Sequence, residues 1–192
     1  MSSLKANFQE VMERVKAGRQ FGHASFEPIF YLVFSPSEIL EAKRQLPAFI
    51  AKLRNDGWEP QVFSVAEEIQ AIFDGAPVKI REIWLAADAK APLEWGKTNK
   101  TLANAVANGA LQSRLEDRLT ALEGAPKSIL LVTDIEALHP YMRIGSIESQ
   151  LQGKFTVPTV FFYPGTRTGK TQLKFLGFYP EDGNYRSVHV GG

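Results

Sequence analysis

Apolar positions along the chain alternate between short unbroken runs and stretches at helical spacing. After Pro28 the run Ile29-Phe30-Tyr31-Leu32-Val33-Phe34 is too short for a helix and rich in strand formers, so it predicts a buried strand. Ser35-Pro36-Ser37 opens a helical stretch with Ile39, Leu46, Phe49, Ile50 and Leu53 in phase, which Asp56-Gly57 ends; Pro47 should kink or split it. Trp58 to Ser64 predicts a second strand, and Val65 to Phe73 a short helix stopped at Asp74-Gly75. Ahead of them, Leu4, Phe8, Val11, Met12 and Val15 form one stripe of an amphipathic helix within residues 1–20. That helix is expected to pack on the core, with docking of a partner as the alternative; its polar face mixes both charge signs, which disfavours a membrane surface.

The stretch from Gly75 to Lys100, with Pro77, Pro92, Gly96 and two tryptophans, predicts irregular structure and one short strand at Ile83 to Leu85. Leu102, Val106, Leu111, Leu115, Leu119 and Leu122 then argue one long helix over Thr101 to Glu123, closed by Gly124 and weakened at Gly109. Further strands are expected at Ser128 to Thr133, at Val157 to Tyr163 with Pro164-Gly165 as its end, and around Leu173, Phe175 and Phe178. A helix is expected over about Ser146 to Gln152, and a turn at Glu181-Asp182-Gly183-Asn184. Continuous apolar strands separated by helices imply an α/β fold, a mostly parallel sheet covered on both faces. No linker divides it, so residues 1–192 are expected to form one domain.

Composition narrows the function classes. Twenty-two Lys plus Arg against 21 Asp plus Glu give a net +1, far from the basic excess of a protein that coats nucleic acid. The absence of cysteine removes disulfides, zinc-thiolate sites, iron–sulfur clusters and a thiol nucleophile. The run Ile29 to Phe34 is the longest apolar one, far short of the roughly 20 residues that span a bilayer. Glu10, Glu13, Arg14 and Lys16 interrupt the region where a signal peptide needs an apolar core, so the expected location is the cytoplasm.

The most suggestive string is Gly165-Thr166-Arg167-Thr168-Gly169-Lys170-Thr171. A phosphate-binding loop needs a glycine five residues before its Gly-Lys pair, where Pro164 stands, and a helix afterwards, whereas Thr171 to Leu176 alternates like a strand. A surface hairpin is the better expectation. Asp134 sits where an NTPase strand holds magnesium, but no second carboxylate follows it and no phosphate loop faces it, so it is expected to cap the next turn. His23, His139 and His189 lack ligand spacing, no serine has a nucleophile elbow, and Glu41-Ala42-Lys43 reads as a solvated helix face. Catalytic residues, a metal and a cofactor are therefore all expected to be absent. The aromatics Phe175, Phe178, Tyr179 and Tyr185 among the basic residues of 154–192 are expected to be core with a charged rim.

The segments Thr156-Val157-Pro158-Thr159-Val160-Phe161-Phe162-Tyr163-Pro164-Gly165, Leu173-Lys174-Phe175-Leu176-Gly177 and Asn184-Tyr185-Arg186 resemble the BrxB family of bacterial BREX phage-defence systems. Leu138-His139-Pro140-Tyr141-Met142-Arg143 with Ile147 and Leu151 is also similar. The resemblance implies a non-enzymatic adaptor that docks a larger BREX protein, a PglZ-like one first and a BrxC-like ATPase second. An exposed face with Arg143, the Tyr163-Pro164-Gly165 turn, Arg167, Tyr185 and Arg186 is the expected contact, since aromatic and Arg side chains anchor interfaces. The expected layering is P-loop-NTPase-like without a functional P-loop, and the alternative function is a degenerate nucleotide-binding domain acting as a regulatory subunit. Direct DNA binding is the least favoured reading, and oligomeric state stays open.

Overall fold

The computed structural model describes residues 4–18, 27–169, 172–183 and 187–192. Its strands are β1 (Ile29–Phe34), β2 (Glu59–Ser64), β3 (Ser128–Thr133), β4 (Thr159–Thr168), β5 (Gln172–Phe175), β6 (Glu181–Gly183) and β7 (Val188–Gly191). The helices are α1 (Leu4–Gly18), α2 (Ile39–Asn55), α3 (Val65–Asp74), α4 (Val78–Lys90), α5 (Trp95–Ala107), α6 (Ala110–Leu122) and α7 (Ile144–Gln150). Parallel pairing sets the order β2-β3-β4-β1-β7: the first strand lies inside the sheet, β2 takes one edge, β3 and β4 fill the sheet back toward β1, and β7 pairs on its other side. β5 and β6 add an antiparallel flap to the far half of β4.

Both faces are covered, as the unbroken apolar strands require. Ile29, Tyr31 and Val33 of β1 join side chains of α3, α5, α6 and α7 in one core. Phe30, Leu32 and Phe34 point the other way, into a core closed by α1 and α2. The whole α1 stripe is buried there, Phe8 stacking on Phe49 with ring centroids 4.0 Å apart. At about 1.5–3 kcal/mol per large side chain, the stripe belongs to the core and is not a free docking surface. α2 runs unbroken through Pro47, because Ala42 before it and Phe49 and Leu53 after it are buried on the same sheet face.

Several elements differ from expectation. Residues 78–90 and 95–100 are helical, with no strand at Ile83 to Leu85: Pro77 precedes α4, and Pro92 lies between α4 and α5. The long helix over 101–123 is two helices, since Gly109 takes a left-handed φ of 99° between α5 and α6. β4 does not end at Pro164-Gly165. The missing N–H of Pro164 falls where pairing passes from β1 (Phe34 opposite Pro164) to β5 (Gly165 opposite Phe175), so the ladder survives it. Residues 181–183 form a strand where a turn was expected, and β7 is an added edge strand. Among the aromatics expected in the core, Phe175 is buried and Tyr179 half-buried, but Phe178 is exposed.

Candidate functional site

The parallel strands end together along one edge, where open α/β sheets bind ligands. There Asp134, in a left-handed conformation after β3, accepts hydrogen bonds from Ser64 Oγ (2.7 Å) and Thr133 Oγ1 (3.1 Å). Lys43 reaches across from α2, its Nζ 2.7 Å from Asp134 and 2.8 Å from Glu136. Ser64 Oγ also accepts the Glu67 N–H and so caps α3. Burial opposes charge on Asp134, but the bonds from Lys43 and Ser64 outweigh it and hold the carboxyl below its usual range. Burial likewise works against the Lys43 ammonium, and its two carboxylate partners raise it above the ordinary lysine value.

Two expectations are corrected by this node. Asp134 makes no side-chain cap on the turn that follows, and Lys43 is not merely part of a solvated face. The one ammonium occupies both carboxylates, tying α2 to β3 beside a cavity of about 260 Å³ lined by Phe34, Ile39, Leu46 and Phe162. Among the described residues no group of three or more His, Asp or Glu is placed to hold a metal.

A larger cleft of about 580 Å³ opens over the other face, between α7 and the β5-β6 flap. Tyr31 of β1 and Tyr163 of β4 form its floor, Met142, Leu173 and Phe175 its apolar wall, and Arg143 and Asp182 its rim. Tyr31 O–H donates to the carboxylate of Glu148, which α7 carries in a buried position. Arg143 Nη1 lies 3.2 Å from Asp182 Oδ2, a half-exposed pair that holds the flap near the start of α7. Burial, reinforced by the charge of Asp182 and opposed by Arg143, pushes the Tyr163 phenol well above the usual range, so it stays a neutral O–H.

A family model described as BREX protein BrxB matches residues 86–190, more than half of the chain. The chain belongs to the BrxB family. No curated protein and no solved structure matches it. The BrxB match takes in every residue lining the cleft except Glu27 and Tyr31, whereas Lys43 and Ser64 of the strand-end node lie ahead of it. Of the residues expected at a docking face, this BrxB-family fold brings Arg143 and Tyr163 together at the cleft. Tyr163 is only 3% exposed, and Pro164 and Gly165 are buried within β4, so they form no protruding turn. Arg167 is exposed, and its guanidinium donates to the His189 carbonyl (2.9 Å), joining β4 to β7. Tyr185, Arg186, Lys170 and His23 lie outside the described residues. Glu148, Tyr31 and Lys43 carry no sequence signal; only the apolar run containing Tyr31 marks where its strand lies.

Membership of the family makes the chain a component of a BREX system, which supports other BREX proteins as its partners. Among the described residues no helix is long and apolar enough to cross a membrane.

Proposed function

We propose that the protein is a non-enzymatic adaptor of a BREX defence system that docks a larger BREX protein, a PglZ-like one first, through the face bearing the cleft. The observation that supports this reading is the cleft itself, whose lining from Met142 to Gly183 lies inside the family match. The rim suits an interface: Arg143, aimed across the opening toward Asp182, can exchange that half-exposed partner for a carboxylate of the docked protein.

Arg143→Glu tests the proposal. An exposed ion pair contributes about 0–1 kcal/mol, so the Arg143 variant keeps its fold by circular dichroism. Its recovery with the PglZ-like partner from cells expressing the neighbouring genes should fall at least tenfold. Unchanged recovery of the variant removes this face from the interface.

A further inference from the structure

One helix stands apart from both cores. α4 has no buried residue, and its side chains appear in neither apolar cluster. At about 100° per residue, Val78, Leu85 and Ala89 line one flank of α4, and Ile80, Ile83 and Ala87 line the opposite one, where Ile83 and Ala87 face Lys97, Thr98 and Thr101 of α5 across a small pocket. Trp84, between the flanks, packs edge-on against Phe73 at 5.8 Å and fastens the helix to α3. Leu85 is 71% exposed, and Leu93 and Trp95, where the chain turns into α5, are 91% and 64% exposed. Helices apolar on more than one side are found in the interiors of assemblies, and monomers rarely expose so many large apolar side chains together.

We propose that the α4-α5 arm, residues 78–100, inserts into an apolar groove on a partner protein whose rim carries carboxylates. The inference rests on the adaptor reading and names a second contact element for it. Charge selects the occupant. The arm carries Lys79, Arg81, Lys90, Lys97 and Lys100 against Glu82, Asp88 and Glu94, a net +2 in a chain that nets +1. A second copy would set this positive patch against itself, because a two-fold contact pairs a surface with its own image. A membrane surface suits a uniformly basic polar face, whereas Glu82, Asp88 and Glu94 interrupt this one. A groove covers the Val78-Leu85-Ala89 flank with Leu93 and Trp95, and lets acidic rim residues meet the lysines.

The test places a photo-crosslinking residue at Leu93 of the full chain, which is 91% exposed, in cells that express the neighbouring BREX genes, alongside Leu85→Asp and Lys79→Glu/Lys90→Glu variants. The proposal expects crosslinks to apolar residues flanked by Asp or Glu on a BREX protein. It also expects at least a tenfold loss of that protein from the Leu85→Asp pull-down, and weaker recovery of the wild type as salt rises. Both variants should keep the wild-type circular dichroism and melting temperature, since none of these side chains is buried. Crosslinks to a second copy of the chain or to lipid overturn the proposal. Wild-type recovery of a BREX partner with undiminished recovery by both variants overturns the arm alone. Failure of the wild type to recover any BREX protein overturns the adaptor reading, and the arm with it.

Discussion

His189 shows how one side chain reports the environment of the sheet. It sits on β7, 8% exposed, with its ring edge-on to Tyr31 at 5.3 Å, its Nε2 2.9 Å from Ser187 Oγ and its Nδ1 unpartnered. Burial, then the positive charge of Arg167, lower its pKa to about 4. In the unfolded chain the imidazole takes a proton near pH 6.5, so between about 6.5 and about 4 the unfolded state binds protons that the folded state refuses. The stability from a neutral His189 is complete above about 6.5 and is lost as pH falls toward 4. Urea midpoints at pH 7 and pH 4.5 should show this loss in the wild type and a smaller one in His189→Gln; equal losses would contradict it. Asp134 acts in a lower window: its depressed carboxyl contributes stability above the usual aspartate value of about 3.9, lost as pH falls through the folded pKa. Neither effect was legible in the sequence, where a lone histidine near the end and an aspartate after a strand look the same whatever lies opposite them.

At the scale of elements, periodicity located most of the parallel sheet and both covering faces because buried strands and amphipathic helices leave regular apolar patterns. It failed where the pattern is absent. α4 is apolar on two sides and shows no single stripe, so its prolines and tryptophans looked like irregular chain. β7, only four residues long, is too short to stand out, and Gly109 split a helix whose spacing continued almost in phase. β4 passed its apparent stop because Pro164 lies at the handover between two partner strands. The residue after it is fixed by space: a Cβ on Gly165 would meet the Lys174 carbonyl and lie 2.6 Å from a Tyr163 ring carbon. Gly165→Ala should therefore destabilise the protein by about 1–3 kcal/mol and loosen the flap that closes the cleft. Chemical denaturation checks the first effect and amide exchange across β5 the second; a wild-type midpoint would show that the flap yields freely.

At the scale of the whole molecule, the cation that meets the carboxylates at the strand ends is supplied by the chain itself, through Lys43. The cleft opens on the other face, its lining from Met142 to Gly183 inside the family match, and the apolar side chains of α4 stand clear of both cores. This division suits a protein that joins others: a stable sheet carries two distinct surfaces, one acidic and aromatic, the other apolar and basic. The family resemblance was legible in the Tyr-Pro-Gly region, but the cleft was not, because its walls come from β1, α7 and β6, separated by more than a hundred residues of sequence. The most direct test of the adaptor claim is sedimentation velocity on the purified protein mixed with the purified PglZ-like protein at about micromolar concentration, where a specific interface of about −8 kcal/mol is half-saturated. The account predicts a single faster-sedimenting complex of defined stoichiometry; two species sedimenting independently at tenfold higher concentration would contradict it.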